Sequence, residues 1–226
     1  MPIRTVGEYL LRWGMTPQKP LKRAYAQNPK LVKTWLQQEY PALQKRAEQA
    51  GAEIAWGDES GVRSDAQVGR GYAPVGETPE IQLNTQRARV NYIASIDNQG
   101  TVRFMLYTQN LTAEVFLIFL KRLIAKRTRK LMWVVDRHPV HRSQAVHQWL
   151  GEHRDTIEMI YLPPYAPQLN PAEYLNCDVK QGVHSKPPTR NQAQLQQRVR
   201  SHLHKLQKLP QRVMQYFKHP YIAYAA

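Results

Sequence analysis

Two rhythms of apolar and polar positions alternate along this chain, and each switch between them marks an element. In KLVKTWLQQEYPALQKRAEQAGAE, Leu31, Trp35, Leu36 and Leu43 recur at helical spacing behind an Asn28–Pro29 start, with Pro41 expected to kink the helix. EIAWG at 53–57 is a short apolar run closed by Gly57 and Asp58, which reads as a strand. RVNYIASID and TVRFMLYT flank the turn DNQG and read as paired strands. In TAEVFLIFLKRLIAKRT, Phe116, Phe119, Leu120 and Leu123 form one helical face and Thr112 is the cap. KLMWVVD is a buried strand ending on Asp136, SQAVHQWLGEH a helix, and IEMIYL another strand. The proline loop YLPPYAPQLNP then leads into a helix opened by Asn170 and Pro171. Thr189 to Phe217 reads as helical and basic. Near the start, TVGEYLLRWG is a short helix with Thr5 as cap, Glu8 at the capping-box position and Gly14 as its stop.

The order is strand, two strands, helix, strand, helix, strand, helix. Strand–helix–strand units favour parallel neighbours, so the expected fold class is α/β: a mixed β-sheet flanked by helices, with a short helical N-terminal lead. Three regions follow: a basic lead and helix (1–50), an α/β domain (51–188) and a basic helical C-terminal tail (189–226). Residues at about 60–89 are rich in Gly and Arg and poor in apolar pattern, so they read as an insertion, either a long loop or a hairpin. In sheets of this kind functional residues gather beyond the carboxyl ends of parallel strands. Asp58 and Asp136 both sit there.

Charge changes the picture next. Lys plus Arg number 32 against 17 Asp plus Glu, a formal +15 over 226 residues, which favours a polyanionic partner and above all nucleic acid. No run approaches the roughly 18 apolar residues of a membrane span, so no membrane partner is expected. MPIRTVGEYLLRWG is interrupted by charges, so no signal peptide is expected either. Cys177 is the only cysteine, which excludes an internal disulfide and a cysteine-rich zinc site and fits a reducing cytoplasm.

Against that basic background, Asp58, Asp136 and Glu173 stand out. Brought together, three carboxylates repel and raise one another's pKa, and a divalent cation removes the conflict. Oxygen donors without a Cys or multi-His cluster point to Mg2+ or Mn2+. Two such ions about 4 Å apart can activate a nucleophile and clamp a phosphodiester. The stiff proline loop then serves to aim Glu173 at the aspartates. Each acid also has a plainer reading: Asp58 as a turn residue in GDES, Glu173 as capping-box partner of Asn170. Glu59 would point to the sheet face opposite Asp58, and Asp178, five residues past Glu173, would face away on its helix. His141 would either contact phosphate or a reacting oxygen, or be structural. KRLIAKRTRK supplies Lys121, Arg122, Lys126, Arg127, Arg129 and Lys130, as a solvated helix end or a surface tracking phosphate. The five tryptophans, Trp13 included, lie in apolar patterns and are expected in the core; His202, His204 and His219 are too scattered for a metal site.

WGDESG, VVDRHPVH and above all LPPYAPQLNPAEYLN resemble the insertion sequence 630 family of mariner-superfamily transposases. The family's last block reads Leu-Pro-Pro-Tyr-Ser-Pro-x-Leu-Asn-Pro-x-Glu, from which residues 162–173 depart chiefly at Ala166. The resemblance implies a ribonuclease-H-like domain whose Asp58, Asp136 and Glu173 bind magnesium and are catalytic. It implies cleavage of double-stranded DNA at element ends and attack of the freed 3′-hydroxyl on a TA target, within a homodimer, in a bacterial, nucleoid-associated cytoplasmic setting. The basic lead corresponds to the end of the family's DNA-binding region, and Gly61 to Arg89 to an insertion that contacts DNA or a partner subunit. The family usually has Asp-Asn at the second acid, where this chain has Asp136-Arg137. Arg137 would either engage DNA phosphate or weaken metal binding. The alternative function is therefore a catalytically inactive, DNA-binding transposase remnant, and a ribonuclease-H-like nuclease with a host role is a third.

Overall fold

Five strands build one sheet: β1 (Glu53–Arg63), β2 (Arg89–Ile96), β3 (Val102–Tyr107), β4 (Leu131–Val135) and β5 (Ile157–Tyr161). Their spatial order is β3-β2-β1-β4-β5 in this computed structural model, which describes residues 3–16, 24–66, 72–78, 80, 82 and 87–226. β2 is antiparallel to β1 and β3, whereas β4 runs parallel to β1 and β5. The DNQG turn closes the β2–β3 hairpin as expected, and helices cross over from β3 to β4 and from β4 to β5.

Helices cover both faces. On one, Phe116, Phe119 and Leu123 of α4 (Ala113–Ile124) and Val146 and Trp149 of α5 (Gln144–Glu152) pack on Ala55, Ile93, Trp133 and Val135. On the other, Trp56, Tyr92 and Val134 meet Leu43 of α3 (Tyr40–Ala50), Leu175 and Val179 of α6 (Ala172–His184), Leu203 of α7 (Gln192–Gln207) and Val213 of α8 (Pro210–Tyr216). The mixed sheet flanked by helices is the ribonuclease-H-like layout. The C-terminal segment is helical, as its pattern predicts, but its apolar side belongs to this central core.

Several local expectations change. β1 does not stop at Gly57 and Asp58; it continues to Arg63, paired with β2 as far as Arg89. Gly57 makes room rather than a turn, because a Cβ there would lie 2.1 Å from the Trp133 ring. The insertion therefore starts as a hairpin ladder; residues 67–71, 79, 81 and 83–86 of it lie outside the described residues, as do 17–23 of the basic linker. The first helix, α1 (Ile3–Arg12), already includes Thr5, which is no cap, although Gly14 (φ 73°) does end it. Asn28 caps α2 (Pro29–Thr34) by accepting from the Lys30 amide at 2.9 Å. Pro41 is accommodated by a wide turn over Trp35–Glu39, in which the Tyr40 N–H reaches the Trp35 carbonyl, five residues back. Trp35, Trp56, Trp133 and Trp149 are core residues, but Trp13 is 68% exposed. Among the described residues no helix is long and apolar enough to cross a membrane.

Candidate active site

Register puts the two aspartates side by side. The last parallel pair of β1 and β4 is Trp56 with Val134, and residues two further on share their face. Those residues are Asp58, on the part of β1 that outruns β4, and Asp136, just past the end of β4. Both emerge on the face covered by α6. The proline loop leaves β5 with the Leu162 amide bonded to the Val135 carbonyl at 2.8 Å. It then passes through Tyr165 in the left-handed region (φ 56°) and a tight turn at Pro167–Leu169. The buried Asn170 fixes its far end: its side-chain NH2 donates to the Gly57 carbonyl (3.0 Å) and its Oδ1 accepts from the Ala172 amide (3.1 Å). The start of α6 is thereby tied to β1 one residue from Asp58. Asp58, Asp136 and Glu173 line one open cleft of about 670 Å3, together with Arg137, His138, Arg142 and the proline loop.

The electrostatics show how close the acids lie. Asp58 is pushed well above the usual carboxylate range, first by burial and then by the charges of Glu173, Glu59 and Asp136. It is held in place by Asn176, whose NH2 donates to Oδ2 at 2.7 Å while its own Oδ1 accepts from Tyr92 OH at 2.8 Å. The Glu59 amide donates to Asp58 Oδ1 at 3.0 Å. Burial would also raise Asp136, but hydrogen bonds from His141 and the His138 amide outweigh it and hold the carboxyl below its ordinary range. Glu173 is no capping-box partner: the Asn170 amide donates to the Pro167 carbonyl at 2.9 Å. Among the described residues the Glu173 carboxylate has no hydrogen bond, and none of the three acids has a Lys or Arg ion-pair partner.

Two residues with other expected roles belong to the site. Glu59 does point to the opposite face of β1, yet it meets His141 there, Oε1 to Nε2 at 2.8 Å. His141, expected at a phosphate-binding surface or as a structural residue, is fully buried against Phe116 (ring centroids 4.5 Å apart). A phosphate cannot reach it. Burial favours the neutral ring, but the hydrogen bonds to Asp136 and Glu59 prevail and push the imidazole up to about 10.

The basic residues divide in the same way. Lys121, Arg122 and Lys126 are exposed. Arg127 is turned inward, its side chain 5% exposed and paired with Glu53, which corrects its expected place on an outer surface. Arg129 donates to the Gly51 carbonyl at 2.7 Å, and Lys130 lies 3.8 Å from Glu158. Arg137 donates to the Leu162 carbonyl at 3.1 Å and its guanidinium lies over Tyr161 at 5.8 Å, so it forms no ion pair with Asp136. Asp178 faces away from the cleft, as expected, and is saturated by His202, Arg212 and Tyr216.

The cleft acids fit a hard divalent cation. The donors are oxygens, Cys177 is an exposed residue that does not line the cleft, and the buried His141 has both ring nitrogens engaged. The raised Asp58 reflects first its burial and then the neighbouring carboxylates, a conflict that a divalent cation would relieve.

A family model described as "DDE superfamily endonuclease" matches residues 53–196. The chain belongs to this superfamily. A second model, "winged helix-turn helix", matches residues 1–39. The DDE domain's relatives include the "insertion element IS630 uncharacterized 39 kDa protein" of Shigella sonnei, 26% identical over 139 residues. That alignment covers 59% of this chain and 40% of the relative, so the chain spans about two fifths of the curated relative it matches. Among solved structures, a mariner Mos1 paired-end complex with Mg superposes with TM-score 0.67 at 14% identity, covering 99% of this chain and 71% of that one. The Mos1 catalytic domain superposes with TM-score 0.52 at 16% identity, covering 88% and 97%. The DDE fold is thus shared, and the insertion sequence 630 and mariner resemblance read from the motifs holds.

Proposed function

We propose that this chain carries the catalytic domain of a DNA transposase, cutting double-stranded DNA and joining the freed 3′ end to a target. One observation carries the reading most: in a chain of formal charge +15, three acids share a cleft and among the described residues none has a Lys or Arg partner. Asp58, Asp136 and Glu173 would hold Mg2+ or Mn2+, which supplies activation of the attacking oxygen and stabilisation of the leaving one. The chain's own residues do the rest. Asn176 and the Glu59 amide orient Asp58, Asn170 seats Glu173, and the rigid loop keeps both at a fixed spacing. Arg137, Arg142 and His138 line the same cleft and are suited to phosphate. Arg137 stands where the family usually has Asn, but it is braced by Leu162 and Tyr161, which supports an active enzyme over an inactive remnant. Lys121, Arg122 and Lys126 extend the phosphate-binding surface. The Mos1 complexes are paired-end and strand-transfer assemblies, which supports paired DNA ends and strand transfer here; a homodimer and a TA target are what the motif resemblance implies. The region matched by the winged helix-turn-helix model would recognise DNA. A bacterial, nucleoid-associated cytoplasmic setting suits these partners.

The test is nicking of supercoiled plasmid with Mg2+ or Mn2+, beside gel-shift binding of a duplex oligonucleotide. Asp136→Asn should lower nicking by at least about 100-fold, equivalent to roughly 2.7 kcal/mol of barrier. Binding should persist or tighten, because a negative charge is removed. Nicking by the variant at the wild-type rate, or nicking in EDTA, overturns the reading.

A further inference from the structure

Glu59, Asp136 and His141 place ligand-type atoms within 4.8 Å of one another, which invites comparison with a metal cage. The geometry is different. The imidazole lies between the two carboxylates, and its nitrogens face opposite ways. Nε2 is 2.8 Å from Glu59 Oε1; Nδ1 is 3.2 Å from Asp136 Oδ1 and 3.1 Å from the Asp136 carbonyl. Both ring nitrogens are already engaged, so an ion bound by either would have to displace a hydrogen bond the ring makes. The group is a chain of hydrogen bonds that crosses the edge of the sheet.

That chain ends on Asp136. Asp136 Oδ1 accepts from the His138 amide at 2.9 Å and lies 3.2 Å from His141 Nδ1, which also reaches the Asp136 backbone carbonyl. Among the described residues Oδ2 accepts no hydrogen bond, and Asp136 lines the cleft. The imidazole is itself immobilised. Phe116 packs on its face, Tyr161 OH donates to the His141 carbonyl at 3.0 Å, and the His141 amide bonds to the His138 carbonyl at 3.0 Å. Its side chain is 1% exposed and Glu59 is 13% exposed, so neither can touch substrate. β1 therefore uses neighbouring residues for two tasks on its two faces: Asp58 toward the cleft, and Glu59 toward the brace.

We infer that His141 and Glu59 are positioning residues, which hold Asp136 with Oδ1 engaged and Oδ2 presented to a divalent cation. The inference rests on Asp136 being a ligand in the proposed catalytic cleft. Carboxylate ligands are commonly oriented by such outer partners, whose loss weakens metal affinity by about 10- to 100-fold.

Mn2+ affinity, read from the electron paramagnetic resonance signal of free Mn2+ in a titration of the full chain, tests this without any turnover. Asp136→Asn should abolish tight binding. His141→Ala should weaken it about 10-fold or more. His141→Asn, whose NH2 can take the place of Nδ1, should recover most of the loss. His141→Gln, whose NH2 falls near Nε2 and can serve only Glu59, should not. A purely structural role for the ring would not separate Asn from Gln in this order. Glu59→Ala, which frees the far end of the ring, should also weaken binding and remains informative if His141→Ala fails to fold. Wild-type Mn2+ affinity in His141→Ala or Glu59→Ala, with Asp136→Asn defective, overturns the positioning role and leaves the cleft reading intact. Wild-type affinity in Asp136→Asn overturns the cleft reading itself.

Discussion

Glu173 and Asp178 lie five residues apart on α6 and have opposite surroundings. Asp178 is buried and receives His202 Nε2 at 2.8 Å, Arg212 Nε at 2.6 Å and Tyr216 OH at 2.6 Å. Glu173 is partly buried in the cleft, and among the described residues nothing donates to its carboxylate. The first acid ties α6 to α7 and α8 and has no bonding capacity to spare. The second faces two other acids across an open cleft. In so basic a chain, it is unusual that among the described residues Glu173, Asp58 and Asp136 have no Lys or Arg partner. At Asp58 the neighbouring acids add to the cost of burial, a conflict that a cation relieves. Charge saturation, more than residue type, separates the structural acid from the acids proposed for chemistry.

Substitution should expose the contrast most strongly. Asp178→Asn leaves His202 and the half-exposed Arg212 without their anion and should cost about 2 kcal/mol of unfolding free energy in urea, the scale of hydrogen bonds to a buried charged group. Glu173→Gln removes one repelling charge, so in EDTA stability should be unchanged or raised by up to about 1 kcal/mol. DNA nicking should respond in the reverse order, lost in Glu173→Gln and kept in folded Asp178→Asn. Equal destabilisation by both would erase the distinction.

How far this contrast was legible depends on what each residue needs to be understood. Strand and helix periods carry the sheet order, because β4 and β5 are short, continuous apolar runs separated by well-patterned helices. The three cleft acids were legible through their motifs and their places beyond strand ends. The length of β1 was not: Gly57 looks like a stop and is instead the space Trp133 fills. The brace through Glu59 and His141 was hidden because it depends on where a turn 82 residues later delivers one imidazole. Asn176 left a faint signal, a polar residue three positions after Glu173 among the inward Leu175 and Val179. Arg127 shows the converse. Its basic neighbours predict an outer surface, but Glu53 waits beneath the end of α4 and draws it in.

Metal sharpens the comparison from the other side. Binding only to the folded state adds RT ln(1 + [L]/Kd), about 2.7 kcal/mol at a hundredfold excess over Kd. Mn2+ should therefore raise the unfolding temperature of the wild type and of folded Asp178→Asn by similar amounts. It should leave Glu173→Gln and Asp136→Asn with little or no shift. An undiminished shift in both cleft variants would place the ion elsewhere.

Acid titration gives the smallest and most specific effect. Asp178 is held far below its ordinary range: burial alone would raise it, but hydrogen bonds from His202, Arg212 and Tyr216 prevail. A depressed carboxyl binds fewer protons in the folded chain than in the unfolded one. Its contribution is therefore complete above the unfolded value of about 3.9 and declines as pH falls toward the folded value. The decline from this one group is at most about 1.4 kcal/mol per pH unit. The Asn variant has no such group to titrate. The stability gap between wild type and Asp178→Asn should stay level from pH 7 to about 5 and narrow below about 4. A gap that kept its full size down to pH 2.5 would mean that the anion of Asp178 is not what joins these helices.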